Sequence, residues 1–114
     1  MSSTLLAEPI TLPCGVILQN RLGKSAMTEG LADQLDRPTE QHNTLYRTWS
    51  NGGTGLHITG NVMIDRRYLE RAGNVVLEDD KDLNLFELWA KNGTHSGNQL
   101  WVQLNHPGRQ CPKI

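Results

Sequence analysis

Cysteine is scarce in this chain of 114 residues: there are two. Cys14 and Cys111 stand too far apart for a metal-binding knuckle and are too few for a disulfide framework. Structural zinc is therefore not expected. An excess of one charge is missing as well, with 11 Lys and Arg against 12 Asp and Glu for a formal net charge of -1. No basic surplus exists to neutralise a row of phosphates, and no block of like charge forms a tail. Nucleic acid and anionic membrane surfaces are thus not expected as partners. No apolar run approaches the ~20 residues that span a bilayer, and Met1 to Leu6 carries no basic segment ahead of a long apolar stretch. The expected location is cytoplasmic. Neither G-x-x-x-x-G-K-[ST] nor G-x-G-x-x-G occurs, which weighs against P-loop and Rossmann-type nucleotide sites. No two histidines stand at i and i+4 to form a metal pair, and no repeat or low-complexity segment is present. What is there is ordinary globular composition, 37% hydrophobic and 20% charged, enough for one domain at most.

Along the chain, Ile10 to Asn20 places two short aliphatic runs around Pro13-Cys14-Gly15, the pattern of a small β-hairpin. Asn20 to Met27 reads as a strand weakened by Gly23 and running into a polar loop. Thr39 can cap a helix that carries Glu40 in its first turn and Leu45, Tyr46 and Trp49 on one face, with Asn51-Gly52-Gly53 ending it. Gly55 to Gly60 is a compact strand, and Asn61 to Glu78 a long connection. Asp79 or Asp80 can cap a second helix that buries Leu85, Phe86, Leu88 and Trp89 and ends at Asn92-Gly93. Gln99 to Leu104 is a third strand. Strands alternating with helices of about a dozen residues indicate βαβ units and a parallel sheet. Three such strands leave two unpaired edges, which predicts an α/β chain that is the beginning of a larger fold.

Ligands of parallel α/β folds sit beyond the carboxyl ends of the strands. The positions to inspect are therefore Ala26-Met27-Thr28, Gly60-Asn61 and Gln103 to His106. A small residue at a strand end lets a flat ligand approach the backbone, Thr28 offers a hydroxyl, and the Gln103 amide offers donor and acceptor side by side. A turn glycine, a loop hydroxyl and a satisfied amide explain the same residues more plainly. His106, just past the third strand, can contact substrate or fix its loop. His42 reads as a partly exposed structural residue near the start of its helix, His95 as solvated in a polar turn, and His57 as a hydrogen-bonded core histidine. Glu29, Asp33 and Asp36 can supply an acid or base or simply line a surface loop. Cys111 reads as an inert thiol, and Asp65-Arg66-Arg67 with Glu70-Arg71 as a solvated mixed-charge segment.

The stretches Asn20-Arg21-Leu22, Lys24 to Glu29, Gly55-Leu56, Ile58 to Val62 and Gln103 to Gln110 resemble the N-terminal part of the Old Yellow Enzyme family. Those are FMN-dependent ene-reductases and NADH:flavin oxidoreductases built on a TIM barrel. The resemblance runs from about Leu12 to Gln110. It implies that residues 1–114 are a single incomplete domain, the N-terminal segment of a TIM (β/α)8 barrel: a hairpin plug, then three parallel strands and two helices. It further implies that Ala26 and Met27 face the flavin through backbone, that the Thr28 hydroxyl tunes it at the carbonyl next to the reactive nitrogen, that Gly60 permits close approach, and that Gln103 bonds the pyrimidine edge. The implied reaction carries hydride from NAD(P)H through FMN to an activated alkene such as an enone. The residues that polarise the substrate and transfer the proton come from later strands in that family. A TIM barrel needs ~250 residues. The chain alone is therefore expected to be inactive, and to associate with itself or with a complementing chain. The alternative expectation is a truncated, non-catalytic fragment that acts only through such association.

Overall fold

The computed structural model describes residues 2–112. A short helix α1, Ser2–Ala7, precedes the hairpin of β1, Ile10–Thr11, and β2, Ile17–Leu18, which pair antiparallel with Ile10 opposite Leu18. Gly15 turns it at a φ of 94°, a left-handed conformation in which a side chain is strained. Then come β3 (Gly23–Lys24), α2 (Glu40–Asn51), β4 (Leu56–Met63), β5 (Val75–Val76), α3 (Leu83–Gly93) and β6 (Gln99–Asn105), followed by a 3-10 turn at Gly108–Gln110.

The second sheet is wholly parallel, with β4 at its centre. On one side β4 pairs with β6 along its whole length, Leu56 opposite Gln99 through Met63 opposite Asn105. On the other side β3 pairs with the start of β4, through Gly23–Leu56 and Lys24–His57. β5 pairs with its end, through Val62–Val75 and Met63–Val76. The alternation of strands and helices follows the expected order. The sheet has a fourth strand, however, because Val75 and Val76, in the expected connection, take up the hydrogen-bonding groups of β4 beyond the point where β3 has ended. The first strand is correspondingly shorter than expected, since the chain leaves the ladder after Lys24.

The helices stack on one face of this sheet. Tyr46 of α2, Val62 of β4, Val75 of β5 and Trp89 of α3 form the buried cluster, and Leu45, Trp49, Phe86 and Leu100 pack around it. Tyr46 and Trp89 meet edge to face with ring centroids 5.2 Å apart, a favoured aromatic geometry. Thr39 begins α2 as expected, its backbone N–H donating to Nδ1 of His42 at 3.0 Å. That places His42, expected to be partly exposed, fully inside against Trp89 with centroids 4.9 Å apart. The N-cap of α3 is Asp82 rather than Asp79 or Asp80; the earlier pair sits in a turn in which Asp79 Oδ1 accepts the Lys81 N–H. Of the residues expected on its buried side, Leu88 remains 44% exposed.

The hairpin lies against the amino ends of the strands. Asn20 Nδ2 donates to the Gly53 carbonyl at 2.6 Å, and its Oδ1 accepts the Gly55 N–H at 2.9 Å, just before β4. Gln19 Nε2 donates to the Ser96 carbonyl at 2.9 Å, just before β6. Between hairpin and sheet lies an open apolar cleft of about 300 Å³, lined by Ile10, Leu12, Leu18, Leu22 and Leu56 among others. This leaves the carboxyl ends of the strands, at the opposite end of the sheet, clear of the hairpin.

Candidate functional site

Between the pairs Ile58–Trp101 and Asn61–Gln103, β4 advances three residues while β6 advances two. The extra residue is a β-bulge at Thr59-Gly60, and it changes which side chains share a face. Side chains alternate along a regular strand, so without the bulge Gly60 would oppose Gln103 and Asn61 would turn to the other side. With it, Asn61 stands beside Gln103, and the re-aiming of a side chain is a known effect of bulges. The Thr59 hydroxyl caps the irregularity, accepting the Gln103 backbone N–H at 3.1 Å and donating to the Gly60 carbonyl at 2.8 Å.

The segment after β3 crosses this bulge closely. A β-carbon on Gly60 would fall 2.5 Å from the Met27 carbonyl oxygen and 2.7 Å from the Thr28 Cα. The close approach that Gly60 permits is thus made by residues 27–29 of the chain itself. Underneath, the Tyr46 hydroxyl donates to the Glu29 carboxylate, and both lie within 3.3 to 3.4 Å of the Gly60 N–H. Burial, with the hydrogen bond and charge of Glu29, pushes the Tyr46 phenol well above its ordinary range. Glu29 is therefore an anchor of the crossing segment.

Seated this way, Thr28 accepts a hydrogen bond from Asn61 Nδ2 at 3.2 Å, while Asn61 Oδ1 accepts one from Gln103 Nε2 at 2.7 Å. Asn61 Nδ2 also donates to Glu70 Oε1 at 3.1 Å, and Glu70 Oε2 is held by Arg71 Nε at 2.6 Å. Against the burial that would raise it, hydrogen bonds from Arg71 and Asn61 hold the Glu70 carboxyl below its ordinary value. The result is a continuous polar line at the carboxyl end of the sheet. Left free are the donor capacity of the Thr28 hydroxyl, the Gln103 carbonyl oxygen and the second N–H of its amide, none of which is used by another hydrogen bond among the described residues.

Of the residues singled out in the sequence, Thr28, Gly60 and Gln103 come together here. Ala26 is half-buried in the crossing segment, and the Met27 side chain is 61% exposed. His106 sits at the loop beyond β6, its Nδ1 accepting the Gly108 N–H at 3.0 Å and its ring 5.4 Å from that of Tyr68. Asp33 holds its own turn and Arg37, and Asp36 faces Arg66 at 3.5 Å, so both are structural. His57 is buried as expected, but its ring stacks at 6.5 Å on Trp49, and neither nitrogen has a side-chain or backbone partner of good geometry. Asn61 stood among the positions to inspect but was given no role, and Glu70 was missed. The only sequence signal for Asn61 was its place after a glycine at a strand end, and Glu70 lay hidden in a run of mixed charge.

Among the described residues no cluster of three metal-ligating side chains occurs, and no helix is long and apolar enough to cross a membrane. No family model matches the chain. An NADH-dependent flavin oxidoreductase of Hypocrea jecorina is 44% identical over 108 residues, covering 91% of this chain and 27% of that protein. Another, of Talaromyces variabilis, is 37% identical over 116 residues, 98% of this chain and 28% of that one. The chain thus spans about a quarter of the length of these relatives. Among solved structures, the old yellow enzyme of Trypanosoma cruzi superposes with a TM-score of 0.82 at 20% identity, over 97% of this chain and 29% of that one. The old yellow enzyme homologue of Zymomonas mobilis gives 0.78 at 22%, over 89% and 28%.

Proposed function

We propose, for a chain that has the fold of part of an Old Yellow Enzyme barrel and resembles NADH-dependent flavin oxidoreductases as an N-terminal portion, that it forms one wall of a flavin pocket. The flavin is FMN in this reading. The observation that carries it is the Thr28–Asn61–Gln103 line at the carboxyl end of the sheet, where parallel α/β folds place their ligands. An outward hydroxyl donor beside an outward carboxamide fits a heteroaromatic edge that alternates carbonyl oxygens with a ring N–H.

In this reading the Thr28 hydroxyl donates to a ring carbonyl and stabilises negative charge there. Gln103 takes the pyrimidine edge with its carboxamide. The backbone of Ala26 and Met27 forms the floor, and Gly60 keeps that backbone seated. When bound, FMN supplies hydride transfer from NAD(P)H to an activated alkene such as an enone. This chain's residues bind and orient; none of them is assigned the proton transfer.

Titration of the purified chain with FMN, followed by flavin absorbance and fluorescence, tests the proposal. Saturable binding is expected, weakened about tenfold by Thr28→Ala and by Gln103→Ala, the scale of one ligand hydrogen bond each. Well-folded chain that shows no saturable binding would end the flavin reading.

One observation favours a second role. β6 pairs with β4 on one edge, and no strand covers its other edge among the described residues, while Trp101, Val102 and Leu104 are 43%, 46% and 60% exposed. Such an edge supports association with another copy or a completing chain. Light scattering across a concentration series checks this, and a monomer throughout would exclude self-association.

A further inference from the structure

The polar line has a definite sense, and one group sets it. An ionised carboxylate only accepts, whereas a carboxamide can present either end and a hydroxyl can donate or accept. Glu70, kept ionised by Arg71 at 2.6 Å, therefore requires the nitrogen of Asn61 to face it, at 3.1 Å. With that nitrogen fixed, the second hydrogen of Asn61 Nδ2 goes to Thr28 Oγ1 at 3.2 Å, so the Thr28 proton cannot point at Asn61 and must point away. Asn61 Oδ1 is left to accept, and it takes Gln103 Nε2 at 2.7 Å, which turns the Gln103 carbonyl oxygen outward. Each choice follows from the one before it.

We infer that Glu70 and Asn61 are positioning residues that impose the donor and acceptor order of the ligand edge, with donor from Thr28 and acceptor from Gln103. The ligand class this selects is a planar heterocycle that presents a carbonyl to Thr28 and a ring N–H to Gln103. The consequence for FMN rests on the flavin reading above; the orientation of Asn61 and Gln103 does not.

The test uses the full chain labelled with nitrogen-15, with two readouts. Side-chain amide exchange by NMR reports the orientation directly, and FMN titration reports its effect. In the wild type, the amide hydrogens that Asn61 and Gln103 commit to this line exchange at least about tenfold more slowly than those of exposed Asn84. Glu70→Gln nearly preserves shape but admits both orientations, so protection at Asn61 and Gln103 falls together and FMN affinity drops about tenfold. Glu87→Gln, at an exposed pair with Lys91, changes neither. Adding Asn61→Asp to Glu70→Gln gives Gln103 an acceptor again while drawing the Thr28 proton inward. Gln103 protection is then expected to return while FMN affinity stays low, a separation that a purely structural role does not produce. Unchanged Gln103 protection in Glu70→Gln overturns the inference. So does full recovery of FMN affinity in the double variant. A wild type that binds no FMN ends the flavin reading, and the exchange data alone then decide the orientation.

Discussion

The backbone of Thr28 lies against Gly60 so closely that a β-carbon on residue 60 would stand 2.7 Å from the Thr28 Cα. The crossing segment and the bulge are therefore one unit, and a methyl group is enough to separate them. Gly60→Ala is expected to destabilise the chain by about 1–3 kcal/mol, the usual cost of overpacking, measured as the shift in urea midpoint. Gly23→Ala serves as the control, since its β-carbon would meet nothing within 4 Å, and it should be neutral or mildly stabilising. Equal effects at both positions would refute the close approach.

Tyr46 holds the same unit from below through Glu29. Tyr46→Phe keeps the edge-to-face contact with Trp89 but leaves the Glu29 carboxylate without its phenolic donor. A loss of about 1–3 kcal/mol is expected, the scale of an abandoned buried partner. The phenol, pushed up by burial and Glu29, should also stay protonated above its ordinary pKa of about 10 for as long as the chain is folded. Difference absorbance near the tyrosinate band, wild type minus Tyr46→Phe, reads this, and a phenol titrating at its ordinary value contradicts it.

A third joint ties the end of α2 to the start of β6. Ser50 is fully buried, donates to Asn98 Oδ1 at 2.5 Å and accepts the Ser96 N–H at 2.9 Å. Ser50→Ala strands both partners, so a loss of about 1–3 kcal/mol is expected in urea denaturation. Asn51→Ala removes only the exposed acceptor of Ser96 Oγ and should cost less than about 0.5 kcal/mol. Reversed magnitudes would show that the joint lies elsewhere.

Acid should loosen α2 at its cap. Burial lowers the pKa of His42, with the charge of Glu29 opposing, and burial together with Lys24 lowers that of His57. Both are neutral when folded near pH 7. An unfolded histidine takes up its proton near pH 6.5, so between that value and the lower folded pKa the unfolded chain binds more protons. Stability is then complete above about pH 6.5 and falls as the pH drops toward the folded pKa, by at most ~1.4 kcal/mol per unit and per histidine. For His42 the structural event is plain, because a proton on Nδ1 abolishes the bond from the Thr39 N–H. His42→Gln keeps an acceptor at the capping position without titrating, and its urea midpoint between pH 7.5 and 5.5 should fall less than that of the wild type. An equal slope in both would remove His42 from the account.

The order of strands and helices was legible in the residues themselves. Hydrophobic spacing over Leu45, Tyr46 and Trp49, the Thr39 cap and the glycines at the end of each helix are local signals, read within a few positions of where they act. The strand ends were legible only in part: β6 ends within a residue of where it was expected, but β3 stops at Lys24, well before Met27, and β4 runs on to Met63, which puts Gly60 inside its strand. The sequence resemblance implies roles for Thr28, Gly60 and Gln103.

Other features depended on partners far away in the chain. β5 is two valines inside a long connection, a strand only because β4 offers open hydrogen-bonding groups once β3 has left the ladder. His42 is buried because Trp89 arrives from another helix. The bulge at Thr59-Gly60 depends on the register of β4 against β6, a relation between residues some forty positions apart that no local pattern encodes. By shifting that register it turned Asn61 from a neighbour of the expected site into the group that joins Thr28 to Gln103. Local chemistry, then, determined the order of the main strands and helices and which polar and small residues lie near the carboxyl end of the sheet. Which of them face one another, and in what hydrogen-bonding sense, was decided only when strands distant in sequence were paired.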